Sequence, residues 1–339
     1  MKKVLKVIGI IFGIILLIVI GGYFFLMTHT QIIIGFIQKA SSETVNTKNS
    51  YEPLREPYTG VKKNGQYVIA EINYSIEYPN SFLDITYTNE NIEEDRPTLF
   101  YFHGGGFFGG SKNDGDPLAE SDVTALLDDI CAEGFNIVNV DYALVPDYHF
   151  PTPLIQANLA FQYMMDHSEE YHINMDKVVI MGSSAGAIMT SQIGSIITNS
   201  EYAKLLNITS VLKPEQVKAL VIDDAPLVYN KFSLATKILV GNYIKGSIYI
   251  YKEELKKYNN ILSIDSNYIP SVLLGSEYYV DMRDMDAKLK EMKVEHELVD
   301  PLAERGKEMQ HCFVANERAD EISKDAFDRM IKFIKEKTN

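Results

Sequence analysis

Two adjacent serines stand between glycines in the stretch GSSAG at residues 182–186. A serine hydroxyl attacks a carbonyl carbon when a general base removes its proton, so a nucleophilic serine requires a base and an acid elsewhere in the chain. Only Ser184 occupies the centre of a Gly-x-Ser-x-Gly pattern, after the apolar run KVVIM and before a helix-compatible run. This strand, turn and helix setting exposes a nucleophile. We therefore predict that Ser184 is the nucleophile and that Ser183 points away from it.

A second glycine cluster supplies candidate donors for the oxyanion of a tetrahedral intermediate. The stretch LFYFHGGGFFGGS places three glycines after His103, directly behind another apolar strand. Glycines leave backbone N–H groups free to point at a substrate oxygen. We assign the N–H groups of Gly105, Gly106 and Ala185 to this role and interpret His103 as structural.

No cofactor or metal is predicted. The glycines at 104, 106 and 109 also match a dinucleotide pattern, but that pattern needs a helix at its last glycine, and GGSKNDGDP follows instead. Four further histidines lack companions at metal-ligand spacing, and we interpret them as surface or core residues: His149, His167, His172 and His296.

A third motif, DYALVPDYHFPTPL at 141–154, completes a family resemblance. Together with the two glycine motifs, it resembles the hormone-sensitive-lipase-like branch of the α/β-hydrolase fold over roughly residues 80 to 335. The resemblance implies an eight-stranded, mostly parallel sheet flanked by helices and an ester-hydrolysing activity. It does not carry over a substrate.

His311 is the candidate base. It follows a candidate last strand and a loop and precedes the C-terminal helix, and its setting QHCFVAN resembles the family's His-Gly-Phe with Cys312 in place of glycine. A neutral imidazole can accept the proton of Ser184 and later return it to the leaving group.

The acid is harder to place. The family's acid should follow the strand SVLLG, where this chain has Tyr279, whose phenol is a poor partner for an imidazolium. We predict Asp281, because a one-residue insertion in the loop would bring it near the usual position. Four other carboxylates remain open: Glu277, Asp284, Asp223 and Asp224. The last alternative is that no acid exists and the site is a weak dyad or catalytically dead.

Composition limits the classes of partner. The chain has 339 residues, 46% of them hydrophobic, with a net charge of −14, and its sequence pI is near 5.0. It carries no basic stripe with interleaved aromatics, so nucleic acid is not an expected partner. Only Cys131 and Cys312 are present, so no disulfide framework is required.

The N-terminal segment is predicted to be a membrane anchor. An uncharged apolar run from Val7 to Met27 follows three lysines. At about 1.5 Å per residue it spans roughly 31 Å, the thickness of a hydrocarbon core. It is long for a signal peptide and lacks a small-x-small cleavage site. The lysines before the run place the N-terminus in the cytoplasm and the remaining chain outside.

Alternating strand-like and helix-like runs predict an α/β sheet from about residue 66. The predicted organisation is an anchor, a juxtamembrane segment with a linker, and a hydrolase domain: 1–30, 31–65 and 66–339. Helices are expected at 119–133, 153–168, 185–199, 284–292 and 317–336. The segment 226–260, rich in Ile and Tyr, is either a lid over the site or an ordinary crossover.

These features predict a membrane-anchored serine hydrolase that cleaves carboxylic esters outside the cell. The expected substrate is a small-molecule, lipid or cell-envelope ester. The alternatives are a degenerate hydrolase that binds lipid or another partner without turnover, and a serine peptidase, since this fold hosts both chemistries.

Overall fold

The computed structural model describes residues 2–114 and 123–339. Within them, nine strands form one sheet: β1 (Tyr58–Val61), β2 (Tyr67–Asn73), β3 (Phe82–Tyr87), β4 (Pro97–Phe102), β5 (Asn136–Val140), β6 (Asn174–Ser183), β7 (Val217–Asp223), β8 (Ser271–Leu274) and β9 (His296–Val299). The helices are α1 (Lys2–Thr28), α2 (Thr30–Ser41), α3 (Val123–Ala132), α4 (Thr152–Asp166), α5 (Ala185–Thr198), α6 (Ser200–Leu206), α7 (Leu234–Lys245), α8 (Lys252–Tyr258), α9 (Tyr279–Met292), α10 (Pro301–Arg305), α11 (Phe313–Asn316) and α12 (Glu321–Thr338).

The sheet order is β1-β2-β3-β5-β4-β6-β7-β8-β9. The first three strands pair antiparallel, β3 joins β5 antiparallel, and every pair from β5 to β9 is parallel. Parallel strands end at a common edge of the sheet, so the residues that follow β6, β7 and β8 are brought together there.

Both faces of the parallel strands are buried. Along β6, Val178 and Ile180 pack into one hydrophobic cluster, whereas Val179 and Met181 pack into another on the opposite face. This alternation follows from the two-residue period of a strand. Helices therefore cover the sheet on both sides, as all-parallel strands require.

The predicted α/β-hydrolase fold is confirmed, with differences at its start. Residues 31–65, expected to hold a linker, contain most of α2 and the additional strand β1, so the described sheet has nine strands rather than eight. The helix expected at 119–133 begins outside the described residues, and its described part is α3. The helix expected at 284–292 starts five residues earlier, at Tyr279.

The N-terminal helix α1 is long and apolar enough to cross a membrane, with a mean hydropathy of 3.0 in a window of which none is buried. Its end contacts the rest of the chain without a spacer, since Met27 is buried and α2 packs against α7. The segment 226–260 folds into a 3-10 turn followed by α7 and α8.

Candidate active site

Ser184 lies at the sharp turn between β6 and α5. Its backbone has φ 54° and ψ −113°, a conformation that a non-glycine residue rarely adopts and that marks a strained turn. Gly186 permits this turn, because a Cβ there would lie 1.9 Å from the carbonyl oxygen of Phe102. The sequence GSSAG therefore folds as predicted, with the Ser184 hydroxyl at the carboxyl edge of the sheet.

His311 connects Ser184 to a carboxylate. Its Nε2 lies 2.8 Å from Ser184 Oγ, and its Nδ1 lies 2.5 Å from Asp224 Oδ2. When Nδ1 carries the proton donated to the carboxylate, Nε2 is free to accept the proton of the serine. The structure thus brings the two residues predicted as nucleophile and base, Ser184 and His311, into contact.

The residue after His311 explains the family's usual glycine at that point. Cys312 has φ 52°, in the left-handed region that glycine adopts most readily. The cysteine is buried, and its Sγ lies 4.0 Å from the carbonyl oxygen of Asp223. A single non-glycine residue is accommodated here, and the imidazole still reaches the serine.

Asp224, not the predicted Asp281, contacts the imidazole. Asp224 follows β7, and the loop after β8 surrounds its carboxylate with donors: Ser276 N at 2.8 Å, Ser276 Oγ at 2.6 Å, Glu277 N at 3.1 Å and Tyr278 N at 2.9 Å. Complete burial alone would raise its pKa, but the hydrogen bond and charge of His311 and the bonds from Ser276 lower that pKa below its ordinary value. Asp224 is therefore an ionised acceptor for the His311 Nδ1–H.

The prediction of Asp281 is wrong in its geometry. Asp281 lies in the first turn of α9, where its Oδ1 accepts the backbone N–H groups of Leu227 at 2.9 Å and Val228 at 2.6 Å. Burial raises the pKa of Asp281 to about 6, against the lowering effect of these two bonds. Because α9 begins at Tyr279, no loop bulge carries Asp281 toward His311; the helix turns it toward the segment after β7.

The other open carboxylates occupy different positions. Glu277 Oε2 lies 3.6 Å from His311 Nδ1, on a side chain that is 57% exposed. Asp284 pairs with Lys231 on the surface. Asp223 accepts a hydrogen bond from Ser183 Oγ at 2.7 Å. Of these three carboxylates, Glu277 has its oxygen within 4 Å of the imidazole, whereas Asp223 interacts with His311 through its charge.

Ser183 and Asp223, which precede Ser184 and Asp224 in the chain, form a buried hydrogen-bonded pair of their own. Burial raises the pKa of Asp223 to about 7, with the Ser183 hydrogen bond opposing and the charge of Asp224 adding to the rise. Consecutive residues of a strand point to opposite faces of the sheet. The paired serines and paired aspartates at neighbouring strand ends therefore each contribute one residue to the site and one to the core.

The glycine loop after β4 borders the serine. Gly106 and Ala185 line a small cavity with Ser184, whereas Gly105 folds the loop itself by accepting bonds from the N–H groups of Phe108 and Gly109. A Cβ at Gly105 would lie 2.0 Å from the Gly109 carbonyl oxygen, and its φ of 101° also requires glycine. Of the three predicted oxyanion donors, Gly106 and Ala185 are thus beside the serine.

A buried network supports this loop from behind. The ring of His103 stacks on Tyr142 at 4.2 Å, and its Nδ1 contacts the Gly104 carbonyl oxygen at 2.7 Å. Burial lowers the pKa of His103 to about 4, so this ring is neutral near pH 7. Lys112 is fully buried among carboxylates, 2.5 Å from Glu71 Oε1. These contacts agree with a structural role for His103.

Residues of α7 line the small cavity at Ser184. The cavity has a volume of about 20 Å³, room for roughly one water molecule. Thr236, Leu239 and Val240 of α7 line it opposite the serine, and Ser184 is only 5% exposed. Part of the 226–260 segment therefore borders the serine.

The sequence contains a signal for Asp224 as the partner of His311. VIDDAP places two acids at the end of a buried strand, and that strand neighbours the one that ends in the two serines. Because β6 and β7 are neighbours, the residue after β7 lies close to the residue after β6, which favours Asp224. The family resemblance points instead to the segment after β8. In the described ranges 2–114 and 123–339, no group of three His, Cys, Asp or Glu side chains is arranged to hold a metal ion.

Known proteins match both the sequence and the fold. The family model BD-FAE matches residues 83–272, more than half of the chain. The chain belongs to the BD-FAE family. This membership and the sheet described above confirm the α/β-hydrolase resemblance that the three motifs predicted.

Curated relatives of this BD-FAE member match shorter stretches. Lipase 2 of Moraxella sp. is 28% identical over 107 residues, which cover 31% of this chain and 23% of the relative. An acetyl esterase of Salmonella choleraesuis is 32% identical over 92 residues, covering 27% of this chain and 26% of the relative. The match thus spans about a quarter of each relative's length.

Solved structures match most of the fold. Esterase B of Lactobacillus rhamnosis matches with a TM-score of 0.62 and 15% sequence identity. The match covers 83% of this chain and 88% of the esterase chain. The esterase of Pyrobaculum calidifontis has a TM-score of 0.61 at 18% identity, with 82% and 86% covered. At these identities the likeness establishes the fold.

Proposed function

We propose that this BD-FAE member is a serine hydrolase of carboxylic esters. The observation that carries the proposal is the chain of contacts from Ser184 Oγ to His311 Nε2 and from His311 Nδ1 to Asp224 Oδ2, at 2.8 Å and 2.5 Å. The names of the lipase and esterase relatives support the same class of reaction.

In the proposed reaction, Ser184 Oγ attacks the ester carbonyl carbon while His311 Nε2 takes its proton. The tetrahedral oxyanion accepts hydrogen bonds from the backbone N–H groups of Gly106 and Ala185, and from Gly105 if the loop rearranges around substrate. His311 then protonates the leaving alcohol, an acyl-enzyme remains on Ser184, and water activated by His311 releases the acid. Asp224 holds the imidazole and stabilises its charged form.

A fluorophosphonate probe and p-nitrophenyl butyrate test this proposal. The full-length protein should be labelled and should hydrolyse the ester, and Ser184→Ala should remove labelling and lower turnover by about 10³-fold or more. Ser183→Ala is the matched control, and we expect it to retain labelling with a loss below about tenfold, because Ser183 bonds Asp223 and not His311. Equal losses from both would contradict the assignment, and an unlabelled parent protein would favour a binding module.

We further propose that α1 anchors the enzyme in the cell membrane, with the N-terminus cytoplasmic and residues 31–339 outside. The length and apolarity of α1 and the lysines that precede its apolar run support this topology. The protein should stay with membranes after alkaline carbonate washing, and protease added to intact cells should degrade the catalytic domain. Complete protection of that domain would reverse the topology, and release of a shortened protein would indicate a cleaved signal sequence.

A further inference from the structure

The segment 226–260, which lines part of the cavity at Ser184, has a charge opposite to that of the whole chain. Residues 226–260 contain six lysines and two glutamates, in a chain of net charge −14. Three of these lysines form no ion pair within the described parts of the chain: Lys237, Lys252 and Lys257. A basic surface on an acidic protein is attracted to anionic lipid headgroups when it lies at a membrane.

This basic segment is joined directly to the end of the apolar helix α1. The N–H of Ile248 donates to the carbonyl oxygen of Met27 at 3.0 Å, and the N–H of Thr30 donates to that of Gly246 at 2.9 Å. The start of α2 adds a bond from Thr30 Oγ1 to Asn242 Oδ1 at 3.2 Å. With no spacer between them, a membrane-spanning α1 would hold the C-terminal end of α7 at the bilayer surface.

Exposed aromatic rings are present in the two segments that meet at the end of α1, namely α2 and the residues after α7. Tyr249 and Tyr251 follow the residues that bond Met27, and they are 45% and 73% exposed. Phe36, on α2, is 71% exposed. Tyrosine and phenylalanine rings beside lysines are typical of the boundary between headgroups and acyl chains.

Another part of α7 lines the cavity at Ser184. Thr236, Leu239 and Val240 face Ser184, while Asn242 contacts α2. Tyr243 stacks on Phe107 of the glycine loop, with ring centroids 3.5 Å apart. A shift of α7 would therefore change both its contact with α2 and the lining of the cavity.

We infer that the surface formed by α2, α7 and residues 246–257 binds the anionic headgroups of the membrane that α1 anchors, and that the cavity opens toward this bilayer to accept a lipid acyl ester. The inference rests on the proposed esterase function and deepens it by naming a substrate class. Apolar acyl chains would reach Leu239 and Val240 from the bilayer without crossing water, which favours a lipid over a soluble ester.

Fluorescence quenching tests the position of the surface. Full-length Tyr251→Cys carries a nitrobenzoxadiazole label in nanodiscs whose lipid headgroups bear a nitroxide; both native cysteines are buried and react poorly. Lys213→Cys is the control, since Lys213 precedes β7 at the opposite edge of the sheet. We expect strong quenching at position 251 and little at 213. Equal quenching at both positions would overturn the proposed orientation.

Activity in nanodiscs tests the substrate class. Dioleoylglycerol in the bilayer should be hydrolysed about tenfold faster when phosphatidylglycerol accompanies phosphatidylcholine, whereas hydrolysis of soluble p-nitrophenyl acetate should change less than about twofold. The variant K237Q/K252Q/K257Q should lose the dependence on phosphatidylglycerol and keep p-nitrophenyl acetate turnover. The matched control is K177Q/K213Q/K218Q, which removes equal charge from the opposite edge and should behave as wild type.

The outcomes separate this inference from the esterase proposal. Turnover of p-nitrophenyl acetate without turnover of dioleoylglycerol would overturn the lipid substrate and leave the serine hydrolase in place. A dependence on phosphatidylglycerol that survives in K237Q/K252Q/K257Q would overturn the role of the basic surface. Failure of both substrates, together with absent fluorophosphonate labelling, would refute the esterase proposal itself.

Discussion

The segments that follow β7 and β8 each carry a buried aspartate, and each segment holds the aspartate of the other. Asp224, after β7, accepts the backbone N–H groups of Ser276 and Tyr278 after β8. Asp281, in the helix after β8, accepts those of Leu227 and Val228 after β7. Both carboxylates are thus fixed by N–H donors from the neighbouring segment.

The two aspartates differ in the other contacts that their carboxylates make. Asp224 Oδ2 also contacts His311, whereas Asp281 has no histidine partner within the described residues and instead accepts an N–H from the start of the segment 226–260. The His311 contact helps lower the pKa of Asp224, while burial raises that of Asp281. Burial and backbone bonds alone therefore do not identify a catalytic acid; the adjacent base does.

Replacing Asp224 should produce the largest effect. Asp224→Asn keeps the size of the side chain but removes the charge that stabilises the imidazolium and fixes the tautomer of His311. We expect kcat for p-nitrophenyl butyrate to fall by about 10² to 10⁴ with little change in KM, because the lost interaction acts mainly in the transition state. Steady-state kinetics of the full-length protein in detergent micelles measures this.

Asp281→Asn is the matched control for that variant. It removes a buried carboxylate from the equivalent position of the other segment, and its amide oxygen can still accept the N–H groups of Leu227 and Val228. We expect kcat to fall less than about tenfold. A larger loss in Asp281→Asn than in Asp224→Asn would restore the acid to the position after β8.

Local sequence determined much of this comparison. The runs KVVIM and VKALVID predicted buried parallel strands, and GSSAG predicted the turn at Ser184, because these features depend on neighbouring residues. The acid depends on a contact across 87 residues of sequence, between Asp224 and His311. Pattern and propensity do not encode which of two adjacent strand ends faces the histidine.

The N-terminal part shows the same limit. Composition indicated a polar linker after the apolar run, since residues 41–65 are rich in polar side chains. Their structure is instead set by distant partners: Asn49 Nδ2 donates to the carbonyl oxygen of Leu144 at 2.9 Å, and Asn49 Oδ1 accepts the N–H of Leu144 at 2.8 Å. Such bonds between segments far apart in sequence are invisible to local composition.

Asp223, the neighbour of Asp224, should make the stability of the protein depend on pH. Its pKa is about 7 in the folded protein, against 3.8 as its ordinary value, so the folded state binds more protons than the unfolded state between these values. Stability contributed by the protonated form is therefore lost as the pH rises from about 4 to about 7. In Asp223→Asn this loss is absent, because the amide does not titrate.

Urea unfolding at several pH values measures that effect. We expect the unfolding free energy of Asp223→Asn to gain about 1–4 kcal/mol relative to wild type across the interval, since one pKa unit corresponds to about 1.4 kcal/mol. The Asn oxygen can still accept the Ser183 hydroxyl, which keeps the folded state comparable. Identical pH slopes in both proteins would assign the titration to other buried carboxylates, such as Asp141.

Truncating Asp281 should test its structural role. Asp281→Ala leaves the N–H groups of Leu227 and Val228 without their acceptor, and an unsatisfied buried donor costs about 1–3 kcal/mol of stability. Urea unfolding of the full-length protein in micelles measures the loss. Asp284→Ala is the control on the same helix, because Asp284 pairs with Lys231 on the surface, where an ion pair contributes roughly 0–1 kcal/mol.

The smallest effect is expected at Glu277, the carboxylate of the β8 segment that comes nearest to the imidazole. Its Oε2 lies 3.6 Å from His311 Nδ1, beyond hydrogen-bonding distance, and solvent reaches 57% of the side chain. Water and salt screen its charge, so Glu277→Gln should lower kcat by no more than about twofold to threefold. Raising the salt concentration should reduce the difference in kcat between wild type and Glu277→Gln. The contact between His311 and the buried Asp224 should be insensitive to salt. In the double variant Asp224→Asn/Glu277→Gln, the residual activity should fall further than in Asp224→Asn alone, because the second substitution also removes the Glu277 charge that lies 3.6 Å from the imidazole. An unchanged residual rate would show that Glu277 contributes nothing to the site.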